Sequence, residues 1–360
     1  MRILLSGYYG FGNLGDEALL AEISCGLRRR FPKVELAVLS ADPAATERAY
    51  GIEAAPRWDL GAVRREIARA DVFLSGGGGL LQNATSLKSL LYYAGLVRQA
   101  VKAQKIVGIF AQSIGPLDFW GKGIVREFCK GAAFATVRDE ASRTLLSGLL
   151  PGVPVTRTAD PVFLYDPPAD DGAEELAREG LGPEVQPLVV ACVRKTSAQA
   201  EVVQRVAAAV DSLAQAGAHV AFLPFQSPED AEAATEVIRR CRSTPTLLPG
   251  GDLASVARAI ATAQALVGVR LHALILAARF GVPFLAVSYD PKVAALLRLL
   301  EYPLPPLWDP SLRKGEGAQP AALAQRLWSE RETLGAHLRA RLPQMRGAAE
   351  ENFEILARYL

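Results

Sequence analysis

GVRLHALILAARFGVPFLAVSYDPKV, residues 268–293, holds two apolar runs of strand length around one helical repeat. Ala265 to Val269 reads as a buried strand, Arg270 and His272 stand at its mouth, and Ala273 to Phe280 carries apolar residues at helical spacing. Gly281 closes that helix, and Pro283 to Val287 is the next apolar run, with Ser288, Tyr289, Asp290 and Lys292 leaving its carboxyl end. Such a strand-helix-strand unit belongs to a parallel sheet, whose ligands bind outside the carboxyl ends of its strands. An arginine, a histidine and a lysine there predict that an anion is met.

The same rhythm extends in both directions. Toward the N-terminus, strands are expected at Ile3–Ser6, Glu35–Leu39, Val72–Ser75, Ile106–Ala111, Ala133–Val137 and Pro161–Tyr165. The proline- and acid-rich DPPADDGAEE follows Tyr165 and reads as a linker. A second series runs through Leu188–Val193, His219–Leu223, Thr246–Leu248, Ala265–Val269 and Phe284–Val287. The expected fold class is α/β, with two Rossmann-like domains facing across a cleft: residues 1–168, residues 184–319, and helices over 320–360 that brace the first domain.

Composition narrows the function classes. A chain of 360 residues, 50% hydrophobic, can bury two cores, and its net charge of +2 lacks the basic excess of a nucleic-acid protein. Cys25, Cys129, Cys192 and Cys241 form no CxxC pair, which suits reduced thiols in a cytoplasmic protein and no metal site. MRILLSGYYG is too short an apolar run for a signal peptide, and no run reaches the ~18 residues of a membrane span, so a soluble protein is expected. Arg28, Arg29, Arg30, Arg64 and Arg65 fit either solvated helix faces or peripheral contact with anionic lipid. Phe119 and Trp120 fit either core or a surface against lipid or acceptor.

Several glycine turns follow strands. SGYYGFGNLGDEALL contains GxGxxG at Gly10, Gly12 and Gly15, yet Gly7 already ends the strand, and Asp16 and Glu17 put carboxylates where a pyrophosphate would sit. That disfavours a nicotinamide or flavin cofactor. Asn13 and Asp16 fit sugar hydroxyls equally as well as a helix cap. In FLSGGGGLLQ, Gly77 and Gly78 open the backbone to a ligand, with tight packing as the alternative. Gln112 and Ser113 leave another strand, and Arg138 leaves the next, as anion ligand or as a local ion-pair partner of Asp139 or Glu140. In the second half, Arg194 and Lys195 precede Thr196 and Ser197, a pattern suited to phosphate or carboxylate. His219 and His337 read as structural, whereas His272 keeps company with Arg270 and Lys292.

Taken together, GxRLHxxI, PxxxxxYxxK, GYYGxGNxGDE, the GGGG turn and VRD resemble the polysaccharide pyruvyl transferase family, of the CsaB type. The resemblance spans nearly the whole chain. It implies a GT-B-like architecture and transfer of the pyruvyl group of phosphoenolpyruvate onto a sugar as a cyclic ketal, with release of phosphate and no cofactor. In CsaB-type members the acceptor is N-acetylmannosamine of a lipid-linked cell-wall polymer precursor, whose product anchors surface-layer proteins; residence at the inner face of the cytoplasmic membrane is implied likewise. The resemblance assigns Arg270, Leu271, His272 and Lys292 to the donor site, with Arg138 as a further anion ligand; Arg194 is added from its strand-end position. His272 is the expected general acid, since an imidazole titrates near ~6.5 and an adjacent trianion favours its protonated form. Asp16 or Glu17 is the expected acceptor of a hydroxyl proton. A nucleotide-sugar glycosyltransferase of the same architecture is the alternative, and a non-catalytic sugar- or anion-binding protein a third.

Overall fold

In the computed structural model of the chain, residues 1–84, 86–166, 181–182, 185–310 and 318–360 are described. They form two compact units, Met1–Leu164 with Gln344–Leu360, and Tyr165–Pro343.

The first unit runs β1 (Arg2–Ser6), α1 (Leu14–Arg30), β2 (Glu35–Ser40), α2 (Pro43–Tyr50), β3 (Glu53–Pro56), α3 (Leu60–Arg69), β4 (Val72–Gly76), α4 (Leu87–Lys102), β5 (Ile106–Gln112), α5 (Phe119–Cys129), β6 (Phe134–Val137), α6 (Glu140–Leu149) and β7 (Val155–Arg157). All its strands are parallel, in the order β3-β2-β1-β4-β5-β6-β7, with Ile3 paired to both Leu36 and Val72. The second unit runs β8 (Leu188–Cys192), α7 (Gln199–Gln215), β9 (His219–Phe222), α8 (Glu229–Ile238), β10 (Thr246–Leu247), α9 (Leu253–Thr262), β11 (Ala265–Gly268), α10 (Leu271–Phe280), β12 (Phe284–Ala286), α11 (Pro291–Leu299) and α12 (Pro320–Ser329). Its parallel order is β10-β9-β8-β11-β12.

The physics of these sheets is the same. β1, β4, β8 and β11 are buried along their whole length, because helices cover both faces of a parallel sheet. Most helices start at an Asp, Asn or Ser whose side chain accepts a first-turn amide, as at Asn13, Asp59, Asp139 and Asp252. Strand order reverses between β1 and β4 in one sheet and between β8 and β11 in the other. Those switch points open crevices at the strand ends. They lie beside the glycine loops in the first unit and beside Arg194 and Arg270 in the second.

Three details depart from the sequence reading. Pro161–Leu164 is a buried 3-10 turn instead of a strand, since the Asp160 carboxylate accepts the Val162 amide at 3.0 Å and closes the chain on itself. β3 and β7 escape a reading based on apolar runs because both are short, partly exposed edge strands. The tail is divided: α12 packs on α7 in the second unit, whereas Gln344–Leu360, the end of α13 (Arg331–Ala357), clusters with the first. There Asn352 is fully buried, accepting from the Thr158 hydroxyl at 2.8 Å and donating to the carbonyls of Ala159 and Ala349. Most of the expected linker, from residue 167 to 180, lies outside the described residues.

Candidate functional site

In the second unit, β8, β11 and β12 are neighbours and end on one edge. Arg270 follows β11 and is 6% exposed. Its guanidinium is clamped by Asp230 of α8: Nε donates to Oδ2 at 2.8 Å, and Nη2 donates to Oδ1 and, at 3.4 Å, to Gln226 Oε1. Asp230 Oδ2 also accepts the amides of Phe225 and Gln226, both at 3.1 Å, so the carboxylate is fully engaged in a dry site. Among the described residues only Nη1 of Arg270 is left without a protein acceptor. The arginine read as an anion ligand is thus half committed to its own fold, and that commitment fixes where its remaining nitrogen sits.

Arg194, after β8, differs in kind. Its Nη1 donates to the Tyr289 hydroxyl at 3.2 Å and its guanidinium lies over the Tyr289 ring, 5.4 Å from the centroid. Among the described residues it pairs with no carboxylate, and its buried Nε has no hydrogen-bond partner. The buried Thr196 hydroxyl is likewise without one. Lys195 is exposed and bonds instead to Glu232 at 2.6 Å. Tyr289 leaves β12, so its contact with Arg194 spans the mouth of β11 between them. Burial raises the Tyr289 phenol above its ordinary value, which keeps it a proton donor.

Leu271 and His272 open α10, both partly exposed. No side chain caps this helix, because its N-cap residue is Arg270, a donor that cannot accept amide protons. An uncapped helix start offers amides and the positive end of the dipole to an anion. Lys292 stands in the first turn of α11, with Nζ 4.0 Å from Asp290 Oδ2.

In the first unit, the loops after β1 and β4 meet. Asn13 caps α1, accepting the Gly15 amide at 3.2 Å, and a side chain at Gly78 would come within 3.0 Å of Asp16 Oδ1. Asp16 therefore lies against the glycine turn. Gly77 and Gly78 both have φ of +73°, a conformation open to glycine, and a side chain at Gly77 would strike Leu19. Glu17 holds the preceding loop, accepting from the Gly10 amide and the Tyr50 hydroxyl, both at 2.9 Å, and burial raises its carboxyl above the usual range.

Two residues expected to contact ligand make several bonds within the fold. Arg138 is buried, with Nε on the Ser113 hydroxyl, Nη2 on the Gly78 carbonyl at 3.0 Å, and Nη1 on the buried Asp160 carboxylate. It bolts the glycine turn to the segment after β7. Gln112 is 0% exposed and donates to the carbonyl and hydroxyl of Ser75 at 2.6 and 2.8 Å, tying β5 to β4. Its Oε1 is buried and has no hydrogen-bond partner among the described residues.

The sequence reading passed over an aromatic group at the same edge. Arg57, 2% exposed, donates to the Gly7 carbonyl at 2.7 Å and the Tyr93 hydroxyl at 2.9 Å. The rings of Phe11, Trp58, Tyr92 and Tyr93 surround it, 4.9 to 5.3 Å from the guanidinium carbon. Among the described residues no group of three His, Cys, Asp or Glu side chains is placed to hold a metal, and no helix is long and apolar enough to cross a membrane.

Comparison with known proteins agrees with this architecture. The Anabaena protein HepE in complex with UDP and glucose superposes with a TM-score of 0.64 at 11% identity, covering 100% of each chain. The UDP-GlcNAc 2-epimerase of Neisseria meningitidis gives 0.63 at 11%, over 99% of this chain and 100% of that one, and S. aureus MnaA gives 0.65 at 12%, over 97% and 94%. At such identities the likeness shows the fold, two Rossmann-like domains of the GT-B class. No curated sequence matches the chain. A model of one family, polysaccharide pyruvyl transferase, matches residues 13–291, from the glycine loop of β1 to the start of α11. The chain belongs to the polysaccharide pyruvyl transferase family.

Proposed function

We propose that the chain transfers the pyruvyl group of phosphoenolpyruvate onto a sugar as a cyclic ketal, the CsaB-type reaction on N-acetylmannosamine of a lipid-linked cell-wall polymer precursor. The observation that carries the reading is Arg194: among the described residues, a cation with no carboxylate partner and an unused buried Nε, beside the unused Thr196 hydroxyl and the uncapped start of α10. Phosphoenolpyruvate brings a carboxylate and a phosphate, and arginine forks suit both. Arg194, the free Nη1 edge of Arg270, Lys292 and the amides of Leu271 and His272 are the proposed donor ligands. Asn13, Asp16 and the backbone of Gly77 and Gly78 are the proposed acceptor side. Arg138 and Gln112 serve that side indirectly, by holding the glycine turn and the β4–β5 pair.

In the proposed chemistry His272 gives a proton to the donor methylene, and the cation that develops at the central carbon is attacked by one sugar hydroxyl. Asp16 takes the hydroxyl proton. Phosphate leaves from that carbon, its charge answered by Arg194 and Lys292, and the second hydroxyl closes the ring. Two hydroxyl protons are lost, one is gained at the methyl, and one leaves with phosphate. No metal or nucleotide enters.

Mass spectrometry of a soluble N-acetylmannosamine disaccharide after incubation with phosphoenolpyruvate tests the reading. A gain of one pyruvic acid less one water is expected. Glycosyl transfer from a UDP-sugar, with no such gain, would replace it by the glycosyltransferase.

A further inference from the structure

We infer that the ring group around Arg57 is a stacking platform for the acceptor saccharide. This rests on the proposed pyruvyl transfer and names the part of the first unit that grips the sugar. Tyr8 and Phe11 leave β1 and stack at 4.1 Å with planes 12° apart; Trp58 follows β3 and meets Phe11 at 6.4 Å and Tyr92 at 5.3 Å. Trp58 is 64% exposed, while the cation beneath it is 2% exposed. Surface rings normally swing between rotamers. Here Arg57 lies under Phe11, Trp58 and Tyr92, and Tyr92 donates to the Arg57 carbonyl at 3.0 Å, so these three rings share one anchor. A rigid ring gives contact area at small entropic cost.

The surroundings select the occupant. The Phe11 ring sits in the loop that ends at Asn13, with Asp16 in the first turn of α1 beyond it; their amide and carboxylate can bond hydroxyls, and both lie partly exposed. A pyranose presents an apolar face of C–H groups and a rim of hydroxyls, which matches rings beside an amide and a carboxylate. Charge does not make that choice, because Asp59, next to Trp58, caps α3 through the Gly61 and Ala62 amides while Arg65 stands alongside it.

The test is binding without donor. The full chain is titrated calorimetrically with a soluble N-acetylmannosamine disaccharide, alongside Trp58→Ala, Trp58→Phe and, as control, Trp120→Ala, each checked for an unchanged thermal midpoint. The platform requires at least a tenfold rise in Kd for Trp58→Ala, near-normal binding for Trp58→Phe and for Trp120→Ala, and a matching rise in acceptor KM with the phosphoenolpyruvate KM unmoved. Equal affinity of wild type and Trp58→Ala overturns it, as does a wild type that binds no disaccharide. So does loss of binding to phosphatidylglycerol vesicles in Trp58→Ala with saccharide affinity intact, which would make the rings a lipid contact. Because no donor is present, saccharide binding lost in Trp58→Ala stands even where pyruvyl transfer fails.

Discussion

Asp230→Asn separates the two roles of Arg270. The change keeps the shape of the side chain but removes the charge that faces Nε and Nη2, and it turns an amide nitrogen toward a donor in either orientation, Arg270 Nη2 at the Oδ1 position or Arg270 Nε with the Phe225 and Gln226 amides at the Oδ2 position. Breaking one partner of a buried ion pair costs about 3–5 kcal/mol. In a unit of this size each kcal/mol moves a thermal midpoint by roughly 2–4 °C, so a fall on the order of 6–20 °C is expected for the second unit. Donor binding should weaken as well, because the Nη1 edge of Arg270 loses its bracing. Hydrogen exchange resolves the two units where a single melting curve cannot, and calorimetry with phosphoenolpyruvate reads the site. Asp230→Leu with Arg270→Met should then recover part of the stability, since an apolar pair removes both charges, while donor binding stays lost. Unchanged exchange in β8, β11 and α8 together with unchanged donor affinity in Asp230→Asn would refute the clamp.

Further outcomes follow from the same geometry. Arg194→Gln should raise the phosphoenolpyruvate KM by about 10–100-fold, the loss of one charge-assisted bond of roughly 1.5–3 kcal/mol, with only a small fall in thermal midpoint, because the Tyr289 contact is lost but no carboxylate among the described residues is orphaned. Gly78→Ala, placed at φ +73° and against Asp16, should cost roughly 1–2 kcal/mol by urea unfolding of the first unit and disturb acceptor KM more than donor KM. Burial pushes the Cys129 thiol from 9.0 up to about 12 and the Tyr93 phenol from 10.0 up to about 12. Between those values the folded chain keeps protons that the unfolded chain has released, so this stability is whole below pH 9 and declines as pH rises toward 12; urea midpoints measured from pH 8 to 11 should fall accordingly.

The parts of the fold that sequence reveals are those with burial on both faces. β1, β4, β8 and β11 stand out as unbroken apolar runs, and the residues at their ends could be named at once. EAAP at β3 has half-exposed alanines and a proline, so neither it nor the Arg57 and Trp58 that follow could be placed on the rim. Arg138, Arg194 and Arg270 look alike as arginines after strands. What separates them is a carboxylate remote in sequence: Asp160 is 22 residues from Arg138 and Asp230 is 40 from Arg270, while Arg194 has none among the described residues. Pairing of that range carries no local signature, and neither does the packing that buries Gln112 beneath Ser75.

The central claim is tested most directly by phosphate release from phosphoenolpyruvate, with and without a lipid-linked N-acetylmannosamine disaccharide, in the wild type and in a folded His272→Ala. Release that depends on the acceptor and disappears in the variant is the expected result. Release that survives in His272→Ala at the wild-type rate, or none from the wild type with acceptor present, would contradict it.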